Sequence, residues 1–175
     1  MNKTFPLLLL MSMLTTACTN STIKKHHLEE IEKLHTEIIN MENNKTQINT
    51  FLTFQDNNAE NAMNFYVELF DNSKIIEVQR WGPGAPGEEG KIMVATFDLD
   101  GNRFMCSDSP PVHAWNFSPA VSNYIDCKNE GELERLFSKL AENGTITMPL
   151  NNYGFSQKFG WVIDKFGISW QLNLK

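Results

Sequence analysis

Residues with metal-binding or nucleophilic chemistry are few in this chain of 175 residues, which has four histidines and three cysteines. Asp108 and His113 are separated by a short segment with two prolines, which could fold back and place a carboxylate beside an imidazole as metal ligands. A histidine in a surface loop is the alternative for His113. His26 and His27 are adjacent, so on a helix they point in different directions and do not share an ion.

The segment from Gly82 to Gly87 has the glycine spacing of a dinucleotide-binding loop, G-x-G-x-x-G. Such a loop must be followed by a helix, because the N-terminus of that helix binds the phosphates. Here the alternating segment Lys91 to Leu99 follows, which predicts a strand, and two prolines interrupt the loop. We therefore reject a nucleotide site.

The N-terminal residues have the pattern of a bacterial export signal. Lys3 precedes the apolar run 5–14, which is too short to span a membrane, and small residues follow it. The end of this run, Leu14-Thr15-Thr16-Ala17-Cys18, resembles a lipoprotein processing site, at which the cysteine becomes acylated. We expect residues 1–17 to be removed and Cys18 to anchor the protein in a membrane of the bacterial cell envelope. A secreted protein cleaved near Ala17 is the alternative.

Two cysteines remain if Cys18 carries lipid. Export would permit a disulfide between Cys106 and Cys127. Both lie in strand-like segments, however, where a buried free thiol that packs as a small apolar group is more common. We therefore expect two free thiols.

Composition and charge limit the function classes. The chain is 41% hydrophobic and 21% charged, which is typical of a globular protein, and its formal net charge is -6. An acidic protein is a poor partner for nucleic acid. After the signal, residues 18–46 form a stem or linker whose apolar residues recur at helical spacing over 22–44.

The rest of the chain repeats one pattern of elements. A strand, a helix and three further strands are predicted in a module of about 48–110, and the same order recurs in a module of about 118–174. The predicted helices cover 58–70 and 130–143, and the second module is predicted to begin with a strand over 120–125. The fold class is therefore α+β, with two βαβββ modules that form an open, curved half-barrel around a cleft.

Several spaced segments resemble the vicinal oxygen chelate superfamily, which includes glyoxalases, bleomycin-resistance proteins and dioxygenases. They are Asn58-Ala59-Glu60-Asn61-Ala62-Met63-Asn64-Phe65-Tyr66, Phe104 to Ser109, Phe117 to Ser122 and Phe166 to Leu172. The resemblance covers 48–174 and is most specific to the PhnB-like branch, which is often described as 3-demethylubiquinone 3-methyltransferase-like. No glycine-rich turn from a strand to a helix is suited to S-adenosylmethionine, so the sequence does not support the methyltransferase activity.

The resemblance implies four positions for a divalent metal, on the first and last strands of each module. They fall at Thr50, at Met105 or Ser107, at Ser122 and at Gln171. Only Gln171 is a usual ligand, whereas Zn²⁺ or Fe²⁺ needs about three strong donors. We therefore expect that the metal site is lost and that no cofactor is bound. The runner-up metal set is Asp108, His113 and Gln171.

The remaining cleft candidates are aromatic or weakly polar, as in many small-molecule pockets. The full set of candidates is Thr50, Phe54, Trp81, Met105, Ser107, Asp108, Ser122, Tyr124, Trp161 and Gln171. We expect a homodimeric protein that binds a small apolar or aromatic molecule. A metal-dependent lyase or dioxygenase is the alternative, and a dimeric structural module without a ligand is a third hypothesis.

Overall fold

A computed structural model describes residues 23–37, 39–40 and 46–175. The chain divides into two compact units, residues 1–48 and residues 49–175. The export signal and Cys18 lie outside the described residues.

The described part of the first unit is largely helical. Helix α1 covers residues 23–37 and 39–40, as the apolar spacing predicts. Its apolar residues Ile23, Leu28, Ile31 and Leu34 are exposed. Ile38 and Met41, which continue the predicted apolar spacing, lie outside the described residues. Among the described residues, no helix has the length and apolar character needed to cross a membrane.

The second unit contains the two predicted modules. The first consists of β1 (Thr50–Phe54), α2 (Ala59–Leu69), β2 (Lys74–Arg80), β3 (Ile92–Leu99) and β4 (Asn102–Asp108). The second consists of β5 (Asn123–Asp126), α3 (Glu130–Ala141), β6 (Thr145–Asn151), β7 (Lys158–Ile163) and β8 (Ser169–Leu174). The α+β class and the duplicated βαβββ order are therefore confirmed.

Each module folds into an open four-stranded sheet with the same topology. The strand orders are β1-β4-β3-β2 and β5-β8-β7-β6, and the first strand pairs in parallel with the last in both sheets. The other neighbours are antiparallel. β1 and β5 each have one strand partner, so the described sheets are not closed.

The two helices start differently. Asn129 accepts a hydrogen bond from the Glu132 amide (3.0 Å) and Glu132 accepts one from the Lys128 amide (2.7 Å), so α3 has a reciprocal N-terminal cap. The residue in the same place before α2, Asn58, makes no side-chain cap. Asp108 accepts from the Ala59 amide (2.9 Å) instead, so the end of β4 caps α2.

The linker between the modules corrects one predicted boundary. The sequence predicts a strand over 120–125, but β5 begins at Asn123. The Val121 amide donates to the Ser118 carbonyl (3.2 Å) and the Ser122 hydroxyl donates to the Pro119 carbonyl (3.3 Å). These local bonds form a turn, which competes with the extended backbone.

One hydrophobic core serves both modules. It contains the inner faces of α2 and α3 and residues of β1, β3, β4, β7 and β8, including Leu52, Phe97, Cys106, Val162 and Trp170. Because strand residues alternate between faces, the neighbours of these core residues point to the opposite face of each sheet. Neither α2 nor α3 packs on that second face.

Candidate functional site

The face of the first sheet opposite α2 carries a row of three paired residues. Phe51 of β1 lies beside Met105 of β4, and Thr96 of β3 pairs with the same Met105. We name Phe51, Met105 and Thr96 the first row. Phe51 is 48% exposed, whereas Leu52 beside it is buried in the core.

The second sheet carries the equivalent row. Tyr124 of β5 lies beside Gln171 of β8, and Trp161 of β7 pairs with Gln171 from the other side. We name Tyr124, Gln171 and Trp161 the second row. The duplicated topology thus places Phe51 and Tyr124, then Met105 and Gln171, at equivalent positions.

The core faces of the two sheets meet through α2. Tyr66 of α2, in the first module, contacts Trp170 of β8, in the second module, with ring centroids 5.2 Å apart. Trp170 precedes Gln171 and therefore points to the opposite face of its sheet. Each row thus lies on the face of its sheet that points away from this shared core.

A crevice of about 320 Å³ lies at the seam between β1 and β5. Apolar side chains from both modules and from the linker between them form most of its wall, among them Phe51, Leu52, Phe117, Val121 and Ile168. Ser169 also lines it. This volume is at the lower end of the range for small-molecule pockets.

Aromatic side chains gather on the open face of the second sheet. Phe159, which alternates with Trp161, lies 6.5 Å from Tyr124, 6.1 Å from Tyr153 and 5.2 Å from Phe155, measured between ring centroids. Tyr124 is 56% exposed and Phe155 is 68% exposed. Large apolar rings are rarely left so accessible together unless they contact something.

A chain of hydrogen bonds fixes the indole of Trp161. Its Nε1–H donates to the Ser169 hydroxyl (2.8 Å), which lies 2.7 Å from the Ser122 hydroxyl. The Ser122 hydroxyl also donates to the Pro119 carbonyl. The indole N–H is therefore committed within the protein, and Ser122 supports the site from the linker.

Three candidates lie outside the two rows. Thr50 lines the seam crevice, but its neighbour Phe51 lies on the open face. Phe54 is buried in the core and contacts Phe117 edge-on (centroids 5.1 Å apart). Trp81 donates its indole N–H to the Asp108 carbonyl (3.0 Å), with Gly87 against its ring.

The runner-up metal set does not converge. The Asp108 side chain is 2% exposed, and its two oxygens accept the Ala59 amide (2.9 Å) and the Ile92 amide (3.0 Å). His113 is exposed on the linker, where its ring stacks on Trp115 (centroids 4.4 Å apart). Gln171 belongs to the open face of the other sheet, whereas Asp108 points toward α2. Asp108 is thus a structural residue.

The two described thiols are poor nucleophiles. Cys106 and Cys127 are buried and free, as expected. Burial raises the pKa of Cys106 to about 12 and that of Cys127 to about 11. Since the thiolate is the nucleophile, neither residue is suited to covalent chemistry near neutral pH.

Comparison with known proteins then places the chain. Residues 45–173 match the family described as 3-demethylubiquinone-9 3-methyltransferase. This chain belongs to that family. Its two open βαβββ modules have the architecture that the resemblance to glyoxalases and bleomycin-resistance proteins implies.

Two solved structures resemble this family member well. A PhnB protein from Bacillus cereus, provisionally assigned as a 3-demethylubiquinone-9 3-methyltransferase, is 50% identical with a TM-score of 0.71. That alignment covers 74% of this chain and 100% of the other, so the relative consists of the two-module domain alone. A protein from Pseudomonas aeruginosa is 28% identical with a TM-score of 0.66, over 75% of this chain and 98% of the other.

A curated relative matches over a shorter stretch. YjdN from Escherichia coli is 32% identical over 83 residues, which are 47% of this chain. The chain thus spans 56% of the length of that relative.

The superfamily's metal site does not fit this family member. The resemblance implies ligand positions at Thr50, at Met105 or Ser107, at Ser122 and at Gln171, whereas the paired open-face residues of the first and last strands are Phe51, Met105, Tyr124 and Gln171. In both sets only the glutamine is a usual oxygen ligand. Among residues 23–37, 39–40 and 46–175, no group of three His, Cys, Asp or Glu side chains is arranged to hold an ion. These residues therefore form the wall of an apolar cleft rather than a set of metal ligands.

The family description also names a methyltransferase. The glycine-rich segment 82–87 joins β2 to β3, which are antiparallel neighbours. No helix follows this loop, so it does not direct a helix N-terminus at a phosphate. It is held in place by side chains: Arg80 donates to the Gly90 carbonyl (2.8 Å) and Asn57 to Glu88 (2.6 Å).

Five of the ten candidates from the sequence lie on the open faces of the sheets. Met105, Ser107, Tyr124, Trp161 and Gln171 lie on open faces, but Phe51 and the ring cluster around Phe159 were missed. In Thr50–Phe54 apolar residues occupy both alternating positions, so the pattern does not say which face is buried. Phe159 could have been found from the sequence, because it lies two residues from Trp161 and residues two apart on a strand share a face.

Proposed function

We propose that this chain is a binding protein whose cleft, formed by the two rows and the seam crevice, holds a small apolar or aromatic molecule without a metal. The observation that carries the proposal is the donor set at the four equivalent positions. On the open faces of the first and last strands, these positions hold two aromatic rings, a thioether and one amide. Such walls bind through apolar contact and stacking, with few polar groups to orient the ligand.

The exposed rings add a second reason. Phe51 and Tyr124 stand on the edge strands that flank the seam, and both are about half exposed. A ligand seated over the crevice would cover both rings at once. Burial of apolar surface contributes roughly 25 cal/mol per Å², so covering two such rings is a substantial part of an affinity for a small molecule.

Binding of an aromatic probe tests the proposal. The domain (residues 46–175) is titrated with 2-naphthol and followed by the probe's fluorescence. The domain is a fair target because the Bacillus cereus relative consists of this domain alone. Phe51→Ala and Tyr124→Ala should each weaken binding by about 5-fold or more, since each removes one stacking wall.

Ile146→Ala is the matched control. Ile146 is exposed but pairs with the core residue Val162, so it does not belong to the open face. Its removal should leave the affinity unchanged. Absence of saturable binding, or equal effects of all three substitutions, would contradict a ligand site at the rows.

We further propose that the protein is exported and lipid-anchored through Cys18. The proposal rests on the sequence around Cys18, which lies outside the described residues. Acylation would hold the protein on a membrane surface without a spanning helix. Wild type should appear in the membrane fraction, and Cys18→Ala should remain unprocessed or soluble. Wild-type protein found wholly soluble in the periplasm or medium would refute this part.

We also propose a homodimer. Strand β2 is the outer edge of its sheet, and its Ile75 and Ile76 are exposed, which is unusual for an edge that stays unpaired. A second copy would cover these side chains. Light scattering on residues 46–175 should give a dimer mass, and a monomer at high micromolar concentration would contradict it.

A further inference from the structure

We propose that the ligand is a planar aromatic molecule with one hydrogen-bonding group, and that Gln171 is the residue that recognises this group. The inference rests on the function proposed above and specifies its ligand class. It comes from the difference between the second row and the first row.

Gln171 is flanked by aromatic rings on both sides. It pairs in parallel with Tyr124 and antiparallel with Trp161, all on the open face. Directly paired residues have their Cβ atoms about 4.5–5.5 Å apart. A half-buried amide between two rings can hydrogen-bond the edge of a planar molecule that contacts those rings.

The indole next to it does not compete for the same group. Trp161 donates its N–H to Ser169 (2.8 Å), and Ser169 in turn lies 2.7 Å from the Ser122 hydroxyl. Trp161 therefore presents its ring rather than its N–H to a ligand. In the second row this leaves Gln171 and the Tyr124 hydroxyl as hydrogen-bonding groups.

The first row lacks this arrangement. The equivalent of Gln171 is Met105, which lies between Phe51 and Thr96 and therefore beside one ring rather than two. A thioether is a weak acceptor and no donor. A ligand that spans both rows would thus have its polar group at the second module and an apolar portion at the first.

Charged side chains border the rows but do not belong to them. Beside the first row, Glu77 of β2 pairs with Thr96, and Asp98 pairs with Arg103 on the same face. On the second sheet, Asp126 is held by Lys175 (2.8 Å) and by the Asn173 side-chain amide (2.6 Å). The second row itself therefore offers hydrogen-bonding groups and aromatic rings rather than a charge.

A matched pair of probes tests the inference. Naphthalene and 2-naphthol share one ring system, and only 2-naphthol carries a hydroxyl group. Affinities for residues 46–175 are measured by fluorescence titration. Wild type should prefer 2-naphthol by about 3- to 10-fold, the range of one net hydrogen bond. Gln171→Met, which keeps the length of the side chain, should abolish this preference and leave naphthalene binding nearly unchanged.

Three further variants test whether Gln171, rather than Met105 or Tyr124, recognises the hydroxyl group. Gln171→Glu keeps an acceptor and should retain the preference, while Met105→Leu and Tyr124→Phe should also retain it. Circular dichroism verifies the fold of each variant. A preference that survives Gln171→Met, or one that is lost in Tyr124→Phe, overturns the role of Gln171.

The outcomes also distinguish this inference from the proposed function. Equal binding of both probes by wild type overturns the recognition by Gln171 and leaves the aromatic cleft in place. Absence of binding by either probe overturns both.

Discussion

The hydroxyl of Tyr66 donates a hydrogen bond to the Asp164 carboxylate across 2.6 Å, although 98 residues separate them in the chain. The same carboxylate oxygen accepts from the Trp170 indole (2.8 Å), and the other oxygen accepts the amides of Phe166 (2.8 Å) and Ile168 (3.0 Å). All four donors satisfy one buried carboxylate. Because Tyr66 lies on α2 of the first module, this bond joins the modules behind the cleft.

Tyr66→Phe should destabilise the domain by about 1–3 kcal/mol, the cost of removing a partner from a buried, charged acceptor. The ring and its contact with Trp170 remain, so the loss is that of the hydroxyl. Urea denaturation of residues 46–175 gives the free energy of unfolding.

Tyr153→Phe is the matched control for this substitution. Its hydroxyl donates to the Pro149 carbonyl (2.9 Å) in an exposed position, where water can replace it. The expected change is within about 0.5 kcal/mol, as for most surface substitutions. Equal effects of the two substitutions would contradict a special role for the bond between Tyr66 and Asp164.

Asp164 should also give the domain a characteristic dependence on pH. Burial raises the pKa of its carboxyl group above the ordinary value of 3.8, although hydrogen bonds from Tyr66 and Trp170 oppose the shift. Between the unfolded and folded pKa values, the native state binds more protons than the unfolded state. The contribution of this group to stability is therefore fully present below the unfolded pKa and is lost as pH rises through the folded pKa.

The comparison of wild type with Asp164→Asn isolates that contribution. The difference in free energy of unfolding, wild type minus variant, should fall as pH rises from about 4 and then level off above the folded pKa. Hydrogen bonds lower the pKa of other carboxyl groups, such as Glu60 and Asp126, but these groups are present in both proteins and cancel. A difference that rises over the same range would contradict the raised pKa.

The sequence predicted the fold well because its signals are local and occur twice. The apolar spacing of Ala59–Leu69 and Glu130–Ala141 marks both helices. The hairpin at Asp100-Gly101 has positive φ at both residues (47° and 84°), as this residue pair predicts. Helices and tight turns depend mainly on residues that are close in the chain, so the order of the elements could be predicted from the sequence.

The site was harder to predict because it depends on register and on distant partners. Asp108 looked like a residue at the mouth of a cleft, but its oxygens bind the amides of Ala59 and Ile92, which are 49 and 16 residues away. Nothing near Asp108 in the sequence indicates these partners. A shift of one residue along β1 likewise exchanges Thr50 for Phe51 on the open face.

Close packing behind the second row makes Gly160 sensitive to substitution. A Cβ atom at this position would lie 2.5 Å from Phe137 and 2.7 Å from Leu150. Gly160→Ala should therefore destabilise the domain by about 1–3 kcal/mol, the usual cost of overpacking. Gly82→Ala is the control, because its Cβ atom would meet nothing within 4 Å. If both variants unfold at the same urea concentration as wild type, the packing of Gly160 against α3 is not tight.

The last prediction concerns metal content. Phe51, Met105, Tyr124 and Gln171 together supply one ordinary ligand, and the Asp108 carboxylate is engaged by backbone amides. Protein purified without added metal should therefore hold far less than one Zn, Fe, Mn or Ni per chain by elemental analysis. A metal bound only to the native state would stabilise it by mass action, and its removal would lower the thermal midpoint. Because we expect no such metal, a chelator should leave the thermal midpoint unchanged. Gln171→Ala should cost at most about 1–3 kcal/mol, as for one lost hydrogen bond.

A stoichiometric transition metal that is released by substitution of Gln171, Asp108 or His113 would instead identify a metal-dependent enzyme with displaced ligands, and the binding-protein proposal would be wrong.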